Sequence, residues 1–357
     1  MIKKFFDKHF SEYPKSLVVA VSGGADSMAL TFLLDDFCRE NGVKLLAVTV
    51  DHGVRGESAA EAIAVGNLLL KNRINHKILT VDDVPSANIE AVLRKSRYDL
   101  LAGFAKENGA EHVFTAHHKN DLAENFLIRL FRGSQLDGLS GMDEVSEIND
   151  VKICRPLLKS TKDELLNYLK AQNIEWFEDE SNKDERFLRN KIRNFLQSFE
   201  EKDVICERIV KFSEIVRESR DLEDEEVLKE ANNLLIFVEN ESNRGSFLLN
   251  LQKYREIKSI KPKIALKILS LVMTEVSQKG YKPRLEGLER FESDILALEK
   301  GKKRDFYGCQ AKLLTKSNAG DVLGLVKGEN LEDFLWIYSL KKLDEFRFRT
   351  VLGRSLR

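Results

Sequence analysis

The chain has 357 residues, of which 43% are hydrophobic and 32% charged, a length that suits two domains and a composition that excludes a disordered tail. No apolar run approaches the ~20 residues of a membrane-spanning helix, and Cys38, Cys154, Cys206 and Cys309 lie apart with no C-x-x-C pair, which argues against a disulfide framework, a structural zinc site and a dithiol centre. The net charge of −1 conceals an asymmetry: residues 253–316 carry 16 Lys and Arg against 8 Asp and Glu, a basic segment on an acidic chain, suited to a polyanion or to a solvated helix face.

The N-terminal Met1-Ile2-Lys3-Lys4-Phe5-Phe6 is basic but runs into Asp7, Lys8, His9 and Glu12 rather than an apolar stretch, so no secretory signal is expected and the cytoplasm is the default compartment. Leu17 to Val21 is a short β-branched run, the pattern of a buried parallel strand, ending in Ser22-Gly23-Gly24. From Ser27 apolar residues recur at helical spacing until Asn41-Gly42, where glycine supplies a left-handed stop. The alternation continues with a strand at Leu45 to Val50, a helix at Ser58 to Lys71, a strand at His76 to Val81 and a helix at Ile89 to Glu107. A strand at His112 to Thr115 and a helix at Asn120 to Phe131 complete it. Such alternation requires β-α-β crossovers, so the pattern predicts an α/β fold, a doubly wound parallel sheet over residues 1 to about 160. Beyond it, Ser160-Thr161-Lys162-Asp163-Glu164 signals a capped helix to Gln172. Residues 201 to about 300 read as mostly helical, with a break near Asn240–Gly245. Phe306 to Leu314 and Val322 to Val326, around Asn318-Ala319-Gly320, read as a terminal hairpin. The expected organisation is a catalytic domain over 1–200, a helical region over 201–300 and a small β-containing segment over 301–357.

In a doubly wound sheet ligands bind beyond the carboxyl ends of the strands. Ser22-Gly23-Gly24-Ala25-Asp26-Ser27 lies at such an end. Two glycines allow close backbone approach, the helix N-terminus supplies N–H donors and the serines add hydroxyls, so phosphate is the natural guest. Asp26 would repel that guest unless Mg²⁺ stood between them. The loop is neither a G-x-x-x-x-G-K-S/T loop nor a G-x-G-x-x-G turn. After the fourth strand comes Ala116-His117-His118-Lys119-Asn120-Asp121-Leu122-Ala123-Glu124, in which His117, Asp121 and Glu124 would share a face if all were helical. A metal or acid–base cluster and a polar helix start are both compatible with that spacing. The glycines and arginines that follow, from Arg129 and Arg132 to Met142, suggest a mobile, anion-contacting loop.

The Ser-Gly-Gly-x-Asp-Ser turn resembles the PP-loop of ATP pyrophosphatases, which cleave ATP between its α and β phosphates. The His-His-x-x-Asp-x-x-Glu stretch, followed by Arg132-Gly133 and by Leu136-Asp137-Gly138-Leu139-Ser140-Gly141-Met142, resembles the lysidine synthase signature within that superfamily. Val50-Asp51-His52-Gly53-Val54-Arg55, Glu178-Asp179-Glu180-Ser181-Asn182 and Arg189-Asn190-Lys191-Ile192-Arg193 resemble it further. The resemblance covers residues 15 to about 200. Asn120, Leu122, Asn125 and Glu180 depart from the family pattern, and no role is assigned to them.

The resemblance implies an ATP- and Mg²⁺-dependent ligase. It would adenylate the C2 oxygen of the wobble cytidine of the CAU-anticodon isoleucine tRNA, then exchange AMP for free lysine, changing decoding from AUG to AUA. Implied cofactor-binding residues are Ser22, Gly23, Gly24, Ala25, Asp26, Ser27, Asp51, His52 and His117, with Asp26 on the metal. Implied catalytic residues are Asp26, Asp121, Glu124, Arg189 and Arg193. Arg55, Arg129, Arg132, Lys302, Lys303 and Arg304 are candidates for substrate or tRNA. No membrane partner is expected, and the oligomeric state stays open, a dimer included. A 2-thiocytidine synthase-like PP-loop enzyme and a non-catalytic nucleotide-binding protein are the alternatives.

Overall fold

The computed structural model describes residues 1–51, 58–81, 89–134, 136–177, 188–238, 245–279, 281–315 and 333–339. His52 and Arg55, the Glu178–Asn182 stretch and the Asn318–Gly320 and Val322–Val326 segments lie outside them. The chain divides into two compact units, Met1–Arg217 and Glu218–Arg357.

The first unit is built on a six-stranded sheet of order β3-β2-β1-β4-β6-β5. Its strands are β1 (Ser16–Ala20), β2 (Lys44–Asp51), β3 (His76–Thr80), β4 (His112–Phe114), β5 (Val145–Ile148) and β6 (Val151–Cys154). All neighbours run parallel except β5, which pairs antiparallel with β6. Helices α2 (Ala25–Asn41), α3 (Ser58–Lys71) and α4 (Ile89–Glu107) make the crossovers. Along β1, Leu17 and Val19 enter one core with Met28, Leu34 and Phe37, whereas Val18 enters the opposite core with Tyr98, Leu101 and Val113. A strand buried on both faces must be apolar throughout, which is why Leu17 to Val21 shows no alternation. The strand order reverses between β1 and β4, so the crevice beyond their carboxyl ends is the switch point where doubly wound sheets hold ligands.

Two elements of this unit add to the sequence-based picture. The basic N-terminus forms α1 (Ile2–His9), whose Phe6 stacks on Phe37 at 4.1 Å and an interplanar angle of 11°. Strands β5 and β6 form a hairpin closed by Asn149 and Asp150, with φ of 50° and 59°, the positive pair that a two-residue hairpin turn demands. The remaining helices of the unit are α5 (Lys119–Phe131), α6 (Leu136–Leu139), α7 (Lys162–Ala171) and α8 (Leu188–Gln197). A 33-residue helix, α9 (Lys202–Leu234), carries the boundary between the units.

The second unit holds a five-stranded antiparallel sheet of order β7-β8-β11-β10-β9. It comprises β7 (Leu235–Val238), β8 (Ser246–Asn250), β9 (Lys303–Phe306), β10 (Cys309–Leu313) and β11 (Phe334–Ser339). Helices α10 (Leu251–Ile260), α11 (Pro262–Ser277) and α12 (Leu285–Leu296) share a core with it through Tyr254, Ile268, Val272 and Phe291. The region read as mostly helical therefore contains two strands, β7 and β8, flanking the expected break. The hairpin also differs from expectation: β10 pairs with β9 through Tyr307 and Gly308, both at positive φ. No helix among the described residues is long and apolar enough to cross a membrane.

Candidate active site

The loop between β1 and α2 turns on Gly23, whose φ of +84° disfavours any side chain and whose Cβ position would meet Val65 Cγ2 at 2.5 Å. Gly23 O accepts the Phe177 N–H at 3.0 Å, which fixes the outer edge of the turn. Gly24 caps α2 with extended backbone. Ser27 Oγ accepts the Ser22 N–H at 3.1 Å and donates to Gly24 O at 2.9 Å, holding the loop in a closed ring. The first amides of α2 have no partner within the helix, the condition in which a helix N-terminus receives an anion.

Asp26 sits in the first turn of α2. Its Oδ1 is buried and has no hydrogen-bond partner, an uncommon state for a carboxylate oxygen. A divalent cation fits this atom. Among the described residues no three His, Cys, Asp or Glu side chains are grouped as a metal cage. One carboxylate completed by phosphate oxygens and water is how Mg²⁺ is commonly held.

Asp26 Oδ2 faces His118, whose Nε2 lies 3.5 Å from it and 3.4 Å from Asp121 Oδ2. His118 is the N-cap of α5: its Nδ1 accepts the Asn120 N–H at 3.3 Å, and its own N–H donates to Asp121 Oδ2 at 3.1 Å. With Nδ1 accepting, the ring proton resides on Nε2, between the two carboxylates. Burial opposes a charge on this ring, but the hydrogen bond to Asp26 and the charges of Asp121, Asp26 and Glu124 override it, raising its proton affinity. The Asn120 contact acts in the other direction, since a second proton would have to sit on Nδ1.

Asp121 and Glu124 project from the first turns of α5 and are 9% and 3% exposed. Helix α8 docks against them because Ile192 and Leu196 pack with Ala123 and Cys206 in one apolar cluster. Arg189 and Arg193, four residues apart, then share the face that meets α5. Arg189 donates from Nε to Glu124 Oε2 at 2.9 Å and from Nη2 to Asp121 Oδ1 at 2.5 Å. Arg193 Nε donates to Glu124 Oε1 at 2.8 Å. Burial works against the Asp121 carboxylate, but His118 and Arg189 outweigh it and hold its pKa below the ordinary range. Three carboxylates face two guanidiniums, so the cluster has room for one more positive charge, whether from His118 or from an incoming cation. Glu124 and Arg193 also line a cavity of about 80 Å³ with Lys162, Asp163 and Asp203.

Asp26, Asp121, Glu124, Arg189 and Arg193 are thus connected through His118, which the sequence analysis quoted but gave no role. A helix start read at Asn120 puts Lys119 at the cap; α5 begins one residue earlier, which makes His118 the cap. His117 lies outside α5, which begins at Lys119, so it does not share the face of Asp121 and Glu124. Its Nδ1 meets Thr115 Oγ1 at 3.0 Å, and burial drives its pKa down to about 4, leaving a neutral ring. Asp51 ends β2 and accepts the Ser58 hydroxyl at 2.6 Å, anchoring the start of α3.

The described residues around 136–143 are fastened rather than loose. Arg129 Nη1 donates to Gly138 O at 2.6 Å, Arg217 Nη2 to Ser140 O and Met142 O at 2.9 Å each, and Arg155 Nη1 to Asp143 O at 2.9 Å. Arg129 therefore has a structural bond to its own loop, and Arg132 is the exposed C-cap of α5. Lys302, Lys303 and Arg304 are exposed in the second unit, with Arg304 Nε 3.4 Å from Asp294 Oδ2. All four thiols are buried, and burial pushes those of Cys38, Cys154 and Cys309 up to about 12, so none of these three is a thiolate near neutrality.

Comparison with known proteins bears on this arrangement. The PP-loop domain family matches residues 1–200. A tRNA(Ile)-lysidine synthase of Wolbachia pipientis wMel is 32% identical over 303 residues, covering 84% of this chain and 69% of the relative. Those of Orientia tsutsugamushi and a Bradyrhizobium species are 40% and 43% identical over shorter spans, 53% and 50% of this chain and 43% and 50% of the relatives. The solved U34-tRNA thiolase of Methanococcus maripaludis, which holds a 4Fe-4S cluster, superposes with a TM-score of 0.53 at 19% identity. That match covers 61% of this chain and 76% of that one, a likeness of fold alone.

Proposed function

The chain belongs to the tRNA(Ile)-lysidine synthase family of PP-loop ATP-binding enzymes, and on that basis we propose the reaction and the residues that carry it here. The substrates are ATP, free lysine and the minor isoleucine tRNA with a CAU anticodon. In the first step the C2 oxygen of the wobble cytidine forms a bond to the α-phosphorus of ATP and the bond to pyrophosphate breaks. In the second the lysine ε-amine, having lost its proton, forms a bond to C2, the C2–O bond breaks and AMP leaves.

The observation that carries this reading is the unpartnered Asp26 Oδ1 at the mouth of the Ser22–Ser27 ring, joined through His118 to the Asp121–Glu124–Arg189–Arg193 cluster. The ring and the α2 amides hold the β and γ phosphates. Asp26 is the residue that would hold Mg²⁺, which when bound offsets phosphate charge. Asp121 and Glu124 attract the lysine ammonium and serve as acceptors for its proton, while Arg189 and Arg193 orient them through the bonds described above. A cytidine in an anticodon loop can be splayed into such a crevice without breaking a base pair. Arg129 and Arg132, with Lys302, Lys303 and Arg304 of the second unit, are assigned to tRNA phosphates, an electrostatic role that carries no base specificity. The work is cytoplasmic, where ATP, lysine and tRNA coexist.

Incubation with ATP, Mg²⁺, labelled lysine and total tRNA tests the reading. Pyrophosphate release that requires both lysine and tRNA, with label in the RNA, is expected. Release that depends on neither overturns it. Charge reversal at Lys302, Lys303 and Arg304 should weaken tRNA binding in a mobility-shift titration while sparing ATP binding; unchanged tRNA affinity removes their role.

A further inference from the structure

Helix α5 has a second functional face. Each residue advances ~100° around the helix axis, so Lys119 and Leu122 lie opposite Asp121 and Glu124. They border a cavity of about 670 Å³, well within the size range of small-molecule sites. Its floor is apolar: Leu122, Met142, Leu158 and Val210 form one buried contact cluster. Its rim carries five Lys and Arg side chains, Lys8, Lys119, Lys159, Lys211 and Arg217, against the four carboxylates of Asp143, Glu144, Glu207 and Glu214.

Two features of that rim ask for an anion. Glu144 is approached by Lys8 at 2.5 Å, His9 at 2.8 Å and Lys159 at 3.7 Å, so two ammonium groups share one carboxylate. Lys119 occupies the first position of α5, where the helix dipole opposes a positive charge, and it makes no ion pair among the described residues. Glu207 feels the charge of Lys119 but makes its close pair with Lys211 at 2.9 Å.

We propose that this cavity receives an unpaired nucleotide of the RNA substrate: the base lies on the Leu122–Met142–Leu158–Val210 floor, and its phosphate is held by Lys119 and Lys159. The assignment rests on the tRNA reading above and deepens it. A flat, largely apolar ring with an attached anion matches a greasy floor inside a basic rim. The position agrees as well, because the helix between this cavity and the Asp121–Glu124 cluster is only ~10 Å thick, a span that a few nucleotides of single strand cover. A loop whose cytidine is held on one face of α5 would thus be clamped by a neighbouring base on the other, which would let the enzyme test the loop beyond the target base.

The test uses the full chain with its methionine methyls labelled with ¹³C. An anticodon stem–loop RNA is titrated in while the Met142 methyl is followed, and lysine ligation to tRNA is measured on the same preparation. The Met142 methyl is expected to shift with the intact stem–loop and to lose that shift when one particular loop nucleotide, other than the target cytidine, is abasic. That abasic site should weaken binding about tenfold in the wild type, the order expected for burying one face of a base on apolar side chains. It should cost nothing further in Val210→Trp, which fills the floor, or in the surface variant Lys119→Glu. A Met142 methyl unmoved at saturating stem–loop, in a preparation that ligates lysine, overturns the cavity assignment alone. Absence of lysine ligation overturns the functional reading on which it rests. Adenosine and cytidine monophosphates form the second arm: a methyl that responds to them and not to the stem–loop overturns the RNA assignment in favour of a free nucleotide.

Discussion

Replacing Glu124 by Gln preserves its shape and removes its charge, and so measures how far the cluster depends on that one carboxylate. Glu124 accepts from Arg189 Nε through one oxygen and from Arg193 Nε through the other. An amide keeps one acceptor and turns an NH₂ toward the second guanidinium, so one charge-assisted bond is lost and an N–H faces an N–H. Hydrogen bonds to charged groups contribute about 1.5–3 kcal/mol each. The two arginine side chains are 32% and 25% exposed, so water screens part of the loss and a value in the lower half of that range, about 2 kcal/mol, is expected. For a unit of this size that is a fall in Tm of about 4–8 °C. Calorimetry on Glu124→Gln, Arg193→Gln and the double variant is the assay. The double variant should be less destabilised than the sum of the singles by about 1 kcal/mol, because the two side chains are directly bonded. A Tm within about 1 °C of the parent, or strict additivity, would refute the view that α8 is held to α5 by this carboxylate.

Gly23→Ala combines a positive φ with a Cβ 2.5 Å from Val65 Cγ2, so it should raise KM for ATP and lower Tm. Val65→Ala should rescue part of the defect, since it removes the contact and leaves the φ; full rescue in ATP titrations would show that conformation is irrelevant. Burial works against the Glu144 carboxylate, but hydrogen bonds from Lys8 and His9 hold its pKa below the usual glutamate range. Its contribution to stability is therefore complete above that range and lost as pH falls through the lower folded value. Glu144→Gln should flatten the acid side of Tm measured between about pH 6 and pH 3, and parallel profiles would contradict the linkage. Replacing Cys38, Cys154, Cys206 and Cys309 by Ala should leave lysine ligation intact, whereas a thiolase would lose its activity; ligation lost from a folded quadruple variant would reopen the sulfur-transfer alternative.

The doubly wound half was legible because β1 and β2 carry unbroken apolar runs, Leu17 to Ala20 and Leu45 to Val48, and alternate with long helices ended by residues such as Gly42. The β5–β6 hairpin escaped because each strand has four residues, too few to establish a period, although Asn149-Asp150 is a hairpin turn in composition as well as in φ. Strands β7 and β8 were hidden between helical segments, and their neighbour in the sheet, β11, lies some 85 residues further along. At the site, the phosphate loop could be read from local chemistry because its donors are consecutive. The pairing of Arg189 with Asp121 and Glu124 spans more than 60 residues, and spacing alone cannot reveal it; the family resemblance marked those arginines without giving them partners. His118 shows the opposite error. Helical spacing drew attention to His117, but the helix starts two residues later, and the residue at the cap makes the bridge.

Arg217 has a bearing on how far this catalytic unit can be moved to another chain. It lies 17 positions past residue 200, where the PP-loop family match ends, yet its guanidinium holds Ser140 O and Met142 O in place. A fragment cut at residue 200 would retain every side chain assigned to ATP and lysine and still lose the tie on the loop beside them. The smallest portable piece is therefore longer than the PP-loop family match, and grafting this chemistry onto another RNA-binding partner requires carrying the first half of α9 along with it.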